Sequence, residues 1–113
     1  MTVYVKVLIP AKIAEDAQTT QYTAGNNITT IIDRFTATNY SASTATISVN
    51  LVTVADTAGN KNLIVKAKSL SAGETYRFPE IVGQALEPGG FISTIASAAA
   101  AINIRSNGRE ISS

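Results

Sequence analysis

The sequence predicts an all-β protein: an antiparallel β-sandwich, immunoglobulin-like or jelly-roll-like, with an extended arm at its N-terminus. Three observations predict it. Apolar residues alternate with Thr and Ser through most of the chain, the alternating segments are rich in Ile, Val and Thr, and Gly, Pro or Asn recurs between them at the spacing of short strands. The alanine run 98–101 favours helix by composition, but four alanines cannot nucleate one alone, so it reads as a turn.

The elements follow in order. Val3, Val5 and Val7 alternate with Thr2, Tyr4 and Lys6, which is the period of a strand, and Pro10 is expected to end it. Residues 14–27 are polar and close on Gly25, Asn26 and Asn27, so they read as a connector with one brief extended piece around Tyr22. Residues 1–27 are therefore expected to be an arm and connector, and residues 28–113 the sandwich domain. The alternative is that the arm is simply the first strand of the same sandwich.

Residues 28–38 carry Thr and Ile in the proportion of a strand, and Asn39, Tyr40, Ser41 and Ser43 break it. Residues 44–54 alternate most clearly, with Ile47, Val49 and Leu51 inward; a phase slip after Leu51 to Val52 and Val54 implies a bulge or a strand whose two halves face different layers. A connection through Gly59 and Asn60 leads to residues 63–69, with Leu63, Val65 and Ala67 inward and Ile64, Lys66 and Lys68 outward, the pattern of a solvated face or a guarded sheet edge. After a turn at 71–74, Tyr76 and Phe78 share one face before Pro79 stops the strand. Residues 81–86 read as a single turn, 87–90 as a reversal, and 91–95 and 102–105 as strands. Asn107-Gly108 between Ile104 and Ile111 predicts a type I′ hairpin. The expected core is Phe35, Ile47, Val49, Val65, Tyr76, Phe78, Ile95 and Ile104.

Composition narrows the function. The chain has no His, Cys or Trp, so the usual bases, thiol nucleophiles and soft metal ligands are missing and disulfides do not stabilise the fold. Nine Lys and Arg against eight Asp and Glu give a net charge of +1, without the cationic footprint of a nucleic-acid binder. Lys6 and Lys12 interrupt the first apolar run, so neither a secretion signal nor a membrane-spanning segment is expected. Adjacent Glu15 and Asp16 would point to opposite faces of a strand and not converge as an acid/base pair. Asp56, Asn60 and Asn62 offer oxygens but lack the acidic repeat of a calcium loop. Gly89 and Gly90 do not open a helix and cradle no phosphate. Arg105 and Arg109 could ion-pair with a neighbour. No catalytic, cofactor or metal residue is expected.

The runs Ile32-Asp33-Arg34-Phe35-Thr36-Ala37-Thr38-Asn39, Ile47-Ser48-Val49-Asn50-Leu51-Val52, Ser71-Ala72-Gly73-Glu74-Thr75-Tyr76, Leu86-Glu87-Pro88-Gly89-Gly90-Phe91-Ile92 and Ile104-Arg105-Ser106-Asn107-Gly108-Arg109-Glu110-Ile111 carry a resemblance. Over residues 28–111 the chain resembles the small β-sandwich virion structural proteins of tailed bacteriophages. The resemblance implies a non-enzymatic particle subunit in the virion, made in the host cytoplasm, without choosing between head, neck and tail; the expected role is a capsid decoration subunit that bridges major capsid proteins as a symmetric homo-oligomer such as a trimer. A head-tail connector or tail accessory subunit is the alternative within the family. An immunoglobulin-like adhesion module is the alternative outside it. The arm has no counterpart in the family, and its apolar residues mark it as the intersubunit element, with Tyr4, Leu8 and Ile13 as expected contacts.

Overall fold

β-Branched residues crowd a helical turn but fit a pleated ribbon, and here the longest runs of them become the longest strands. The computed structural model describes residues 1–112. Its strands are β1 (Thr2–Ile13), β2 (Thr19–Thr23), β3 (Ile28–Asn39), β4 (Ala45–Val52), β5 (Leu63–Leu70), β6 (Thr75–Tyr76), β7 (Ala85–Leu86), β8 (Phe91–Ala96) and β9 (Ile102–Ser112). A five-stranded sheet runs β1-β9-β3-β6, with β7 also on β3, and a four-stranded sheet runs β2-β8-β4-β5. Every pairing is antiparallel. The two sheets pack as a β-sandwich, with no α-helix among the described residues.

One core lies between them. Phe35, Ile47, Val49, Val65, Phe78 and Ile104 are buried as expected, together with Ile32, Leu70, Ile81, Ile92 and Ile102. Tyr76 packs on this core from its margin. Phe78 meets the rings of Phe35 and Tyr76 edge-on, with centroids 4.9 and 4.8 Å away. It holds φ at 45°, a left-handed conformation that costs a bulky residue about 1–3 kcal/mol and that its complete burial offsets. Ile95 differs from expectation: it pairs with Ser48 and is only half-buried, because Ile92, Thr94 and Ala96 take the inner face of β8.

Four local expectations are corrected. Residues 2–13 do not stand apart as an arm: β1 pairs with β9 from Thr2 opposite Ser112 to Ile13 opposite Asn103, and Leu8, Ile9, Ala14 and Ala24 join the common core. Pro10 does not end β1, because β1 has a neighbour on one side only and a missing N–H is tolerated on such an edge. β4 does not slip phase after Leu51: it stays in register with β8 through Val52, Leu51 lies opposite the buried Ile92, and the register shifts fall instead on the β5 side. Ala67 turns outward at φ 47° in a bulge of β5, where its N–H bonds the Ser48 hydroxyl at 2.8 Å.

The largest correction concerns Asn107-Gly108, which is no hairpin but the middle of β9. A Cβ on Gly108 would stand 2.0 Å from the Ile31 carbonyl oxygen, so the glycine serves a close strand approach. At this level both neighbours of β9 shift register, β1 between Val7 and Ile9 and β3 between Ile32 and Arg34. On one side of Gly108 the three strands form a wall of the sandwich. On the other, residues 2–7, 107–112 and 28–32 continue as an extension of the sheet, with β7 added beyond β3 at Thr30 and Ile31.

Candidate interaction surfaces

Directly opposed residues of neighbouring strands share a face, so the register of the larger sheet sorts its side chains. Ile102, Ile104, Ser106 and Gly108 are buried and define the inner face of β9. Asn103, Arg105, Asn107, Arg109 and Ile111 therefore lie on the outer face. Through the pairings of β1 and β3, so do Val3, Val5, Val7 and Ile13, and Ile31, Arg34, Thr36 and Thr38.

The three residues expected to make intersubunit contacts do not form one patch. Leu8 is 4% exposed and belongs to the core, because the β1 bulge turns both Leu8 and Ile9 inward. Tyr4 is half exposed on the inner side of the extension, opposite Glu110, and Ile13 is half exposed on the outer face at the other end of β1. A different group emerges: Val3, Val5 and Val7 form an exposed outer stripe, with Val5 87% exposed. Alternation made these valines visible in the sequence, but not that they would line an edge strand whose second side has no partner among the described residues.

Beneath Tyr4, sheet-to-sheet contact is polar. The Tyr22 hydroxyl of β2 reaches across to Thr30 Oγ1 at 2.7 Å and donates to the Glu110 carboxylate, which also pairs with Lys6 Nζ at 3.4 Å. Burial, then the neighbouring carboxylate, pushes the Tyr22 hydroxyl up to about 12. At the opposite end of β1, Lys12 Nζ bonds both Glu15 Oε2 and Gln21 Oε1 at 2.8 Å. Lys12 and Gln21 hold the Glu15 carboxyl below its usual value.

Two of the three candidate cation ligands, Asp56 and Asn62, are taken up by neighbouring groups. Asp56 pairs with Lys61 at 2.8 Å and accepts from the Thr57 N–H, which lowers its pKa, Lys61 acting most. Asn62 Oδ1 accepts from Gly59 N–H and from the buried Asn50 amide. Glu80 is likewise held low, by the Tyr76 hydroxyl at 2.6 Å. Each of these carboxylates is kept ionised by a donor, whereas a general acid must be held protonated. No group of three His, Cys, Asp or Glu close enough to hold a metal ion occurs among the described residues.

The guanidinium groups are the unexpected feature. Arg34, Arg105 and Arg109 occupy the outer face by register, and Arg77 joins Arg34 around a cleft of about 400 Å³ on that face. These are all four arginines of the chain. Arg109 is bound to Asp33 at two points, its NH2 group 3.0 Å from Oδ1 and Nε 3.1 Å from Oδ2, and the carboxylate raises its pKa. Periodicity alone could not gather them, since Arg34 reaches this face only through the register shift after Ile32. Comparison with protein-family models, curated protein sequences and solved structures gives no match.

Proposed function

We propose that this protein is a non-enzymatic structural subunit of a tailed-bacteriophage virion, a capsid decoration protein that self-associates and bridges neighbouring capsid subunits. The resemblance over residues 28–111 supports the particle assignment. The single observation that carries the binding role is the edge of β1: a strand of 12 residues, paired on one side only, with Val3, Val5 and Val7 exposed. Its regular stretch from Thr2 to Val7 is an apolar edge and so a template for another strand, and the backbone ladder then supplies affinity while alternate side chains set register.

The edge is self-complementary. Antiparallel pairing of two β1 strands about a two-fold axis at Val5 sets Val3 opposite the partner's Val7 and brings all six valines to one face. It also sets Tyr4 opposite the partner's Lys6, a cation–π geometry. Burying a valine is worth about 1.5 kcal/mol or more, so the stripe supplies several kcal/mol toward association. A subunit that binds the assembled lattice better than free capsid protein stabilises the shell by linkage.

The test has two arms. Val5→Lys places like charges at the axis; light scattering after size exclusion should show a monomer with an unchanged circular dichroism spectrum, the dissociation constant rising about a hundredfold or more. Shells of the encoding phage assembled without this protein should take up the wild-type chain on the head and gain thermal stability, and should take up Val5→Lys poorly. Uptake at the neck or tail would select the connector or tail reading instead. A chain found in no particle, with no effect on shells, would overturn the virion assignment.

A further inference from the structure

The outer face of the larger sheet carries a second, chemically different surface. Arg34, Thr36 and Arg77 flank the 400 Å³ cleft, and Pro79 and Val82 form an apolar wall. Val82 is about half exposed, more than its apolar character needs. Arg34 and Arg77 are exposed, and neither has an ion pair among the described residues. The one carboxylate in the cleft, Asp33, is already neutralised by Arg109.

Charge is therefore separated on a protein that is nearly neutral overall. Four of nine cations lie on this face and, among the described residues, a single acid pairs with them there, although the chain has eight acids. The unmatched pair brackets a concavity rather than a convex rim. Guanidinium groups recognise carboxylates through paired N–H donors, and an adjoining wall of Pro79 and Val82 accepts an apolar side chain. The cleft lies at the small end of ligand-pocket volumes, which suits a short extended segment.

We propose that this cleft binds an extended acidic segment of a partner protein, two carboxylates seated on Arg34 and Arg77 with an apolar residue between them on Pro79 and Val82. A phosphate backbone fits less well, since Pro79 and Val82 offer it no donor and the Asp33 carboxylate stands beside the path. The inference does not rest on the virion reading: it concerns a face distinct from the β1 edge, and it stands or falls on binding alone.

The experiment uses the full chain, isotope-labelled, titrated with the capped tripeptide acetyl-Asp-Leu-Asp-amide while amide shifts are followed by NMR. Saturable shifts are expected at Thr36, Arg77 and Val82, weakening as salt is raised to about 0.5 M. Affinity should fall about tenfold for each of Arg34→Gln and Arg77→Gln, with melting temperature unchanged. Arg105→Gln, on the same face outside the cleft, should leave binding as it is. Absence of saturable shifts would overturn the proposal, as would equal binding of acetyl-Asn-Leu-Asn-amide. Tighter binding of inorganic phosphate or of a single-stranded oligonucleotide would overturn it in favour of a phosphate site.

Discussion

The free edges β1 and β5 belong to different sheets and are defended differently. β5 is interrupted by the Ala67 bulge, and presents Lys66 to solvent and Lys68 over the Tyr76 ring at 4.4 Å. A strand docking there would have to bury charge and straighten a kink. β1 runs regularly from Thr2 to Val7, and its one lysine on that stretch, Lys6, is partly neutralised by Glu110. Exposure of an edge is therefore not by itself an invitation: β5 carries lysines and a bulge where β1, over residues 2–7, carries valines in a regular strand.

The comparison breaks most completely at Gly108. Gly108→Ala would force β9 and β3 apart at Ile31, disturbing the sheet that carries β1, and should cost at least about 3 kcal/mol in denaturant unfolding. A variant unfolding like wild type would show that the close approach is dispensable. The next test moves the property of one edge to the other. Lys66→Val with Lys68→Val should change stability by no more than about 1 kcal/mol yet produce new self-association by light scattering. If the double variant associates no more than wild type, the lysines are not what guards β5.

A smaller effect probes the inner side of the extension, where Tyr22 ties the two sheets together under Tyr4. The folded state raises the Tyr22 hydroxyl to about 12 from an ordinary 10, so its stabilising contribution is complete below pH 10 and is lost as pH rises through 12. Melting temperature should decline across that window, and Tyr22→Phe should flatten the decline. An equally steep decline in Tyr22→Phe would place the alkaline sensitivity elsewhere.

Fold class and most strands were legible in the sequence because alternation and turn residues are local signals. Lys66 was legible as an exposed position of β5, but Lys68 was not: the Ala67 bulge sets it opposite the buried Ile47 with its ammonium over the Tyr76 ring. Asn107-Gly108 misled because a turn and a close strand approach ask for the same residue, and only the position of Ile31, distant in sequence, distinguishes them. The arm misled because its strand is completed by β9, at the other end of the chain. Leu8 looked like a contact because period-two reading carries straight through residue 8, whereas the bulge turns it into the core. The arginine face was illegible: Arg34, Arg77 and Arg105 share it through register shifts and pairings that leave no local mark.

The strand order β1-β9-β3 also governs when the protein can form. β9 is translated after both of the strands it separates, so β1 and β3 emerge with their principal ladder partner still missing. Until β9 inserts between them, the valine edge and the inner face of β3 are open together. During synthesis this gives chaperones or neighbouring nascent copies a window in which to engage the chain, one that closes only when the middle strand arrives.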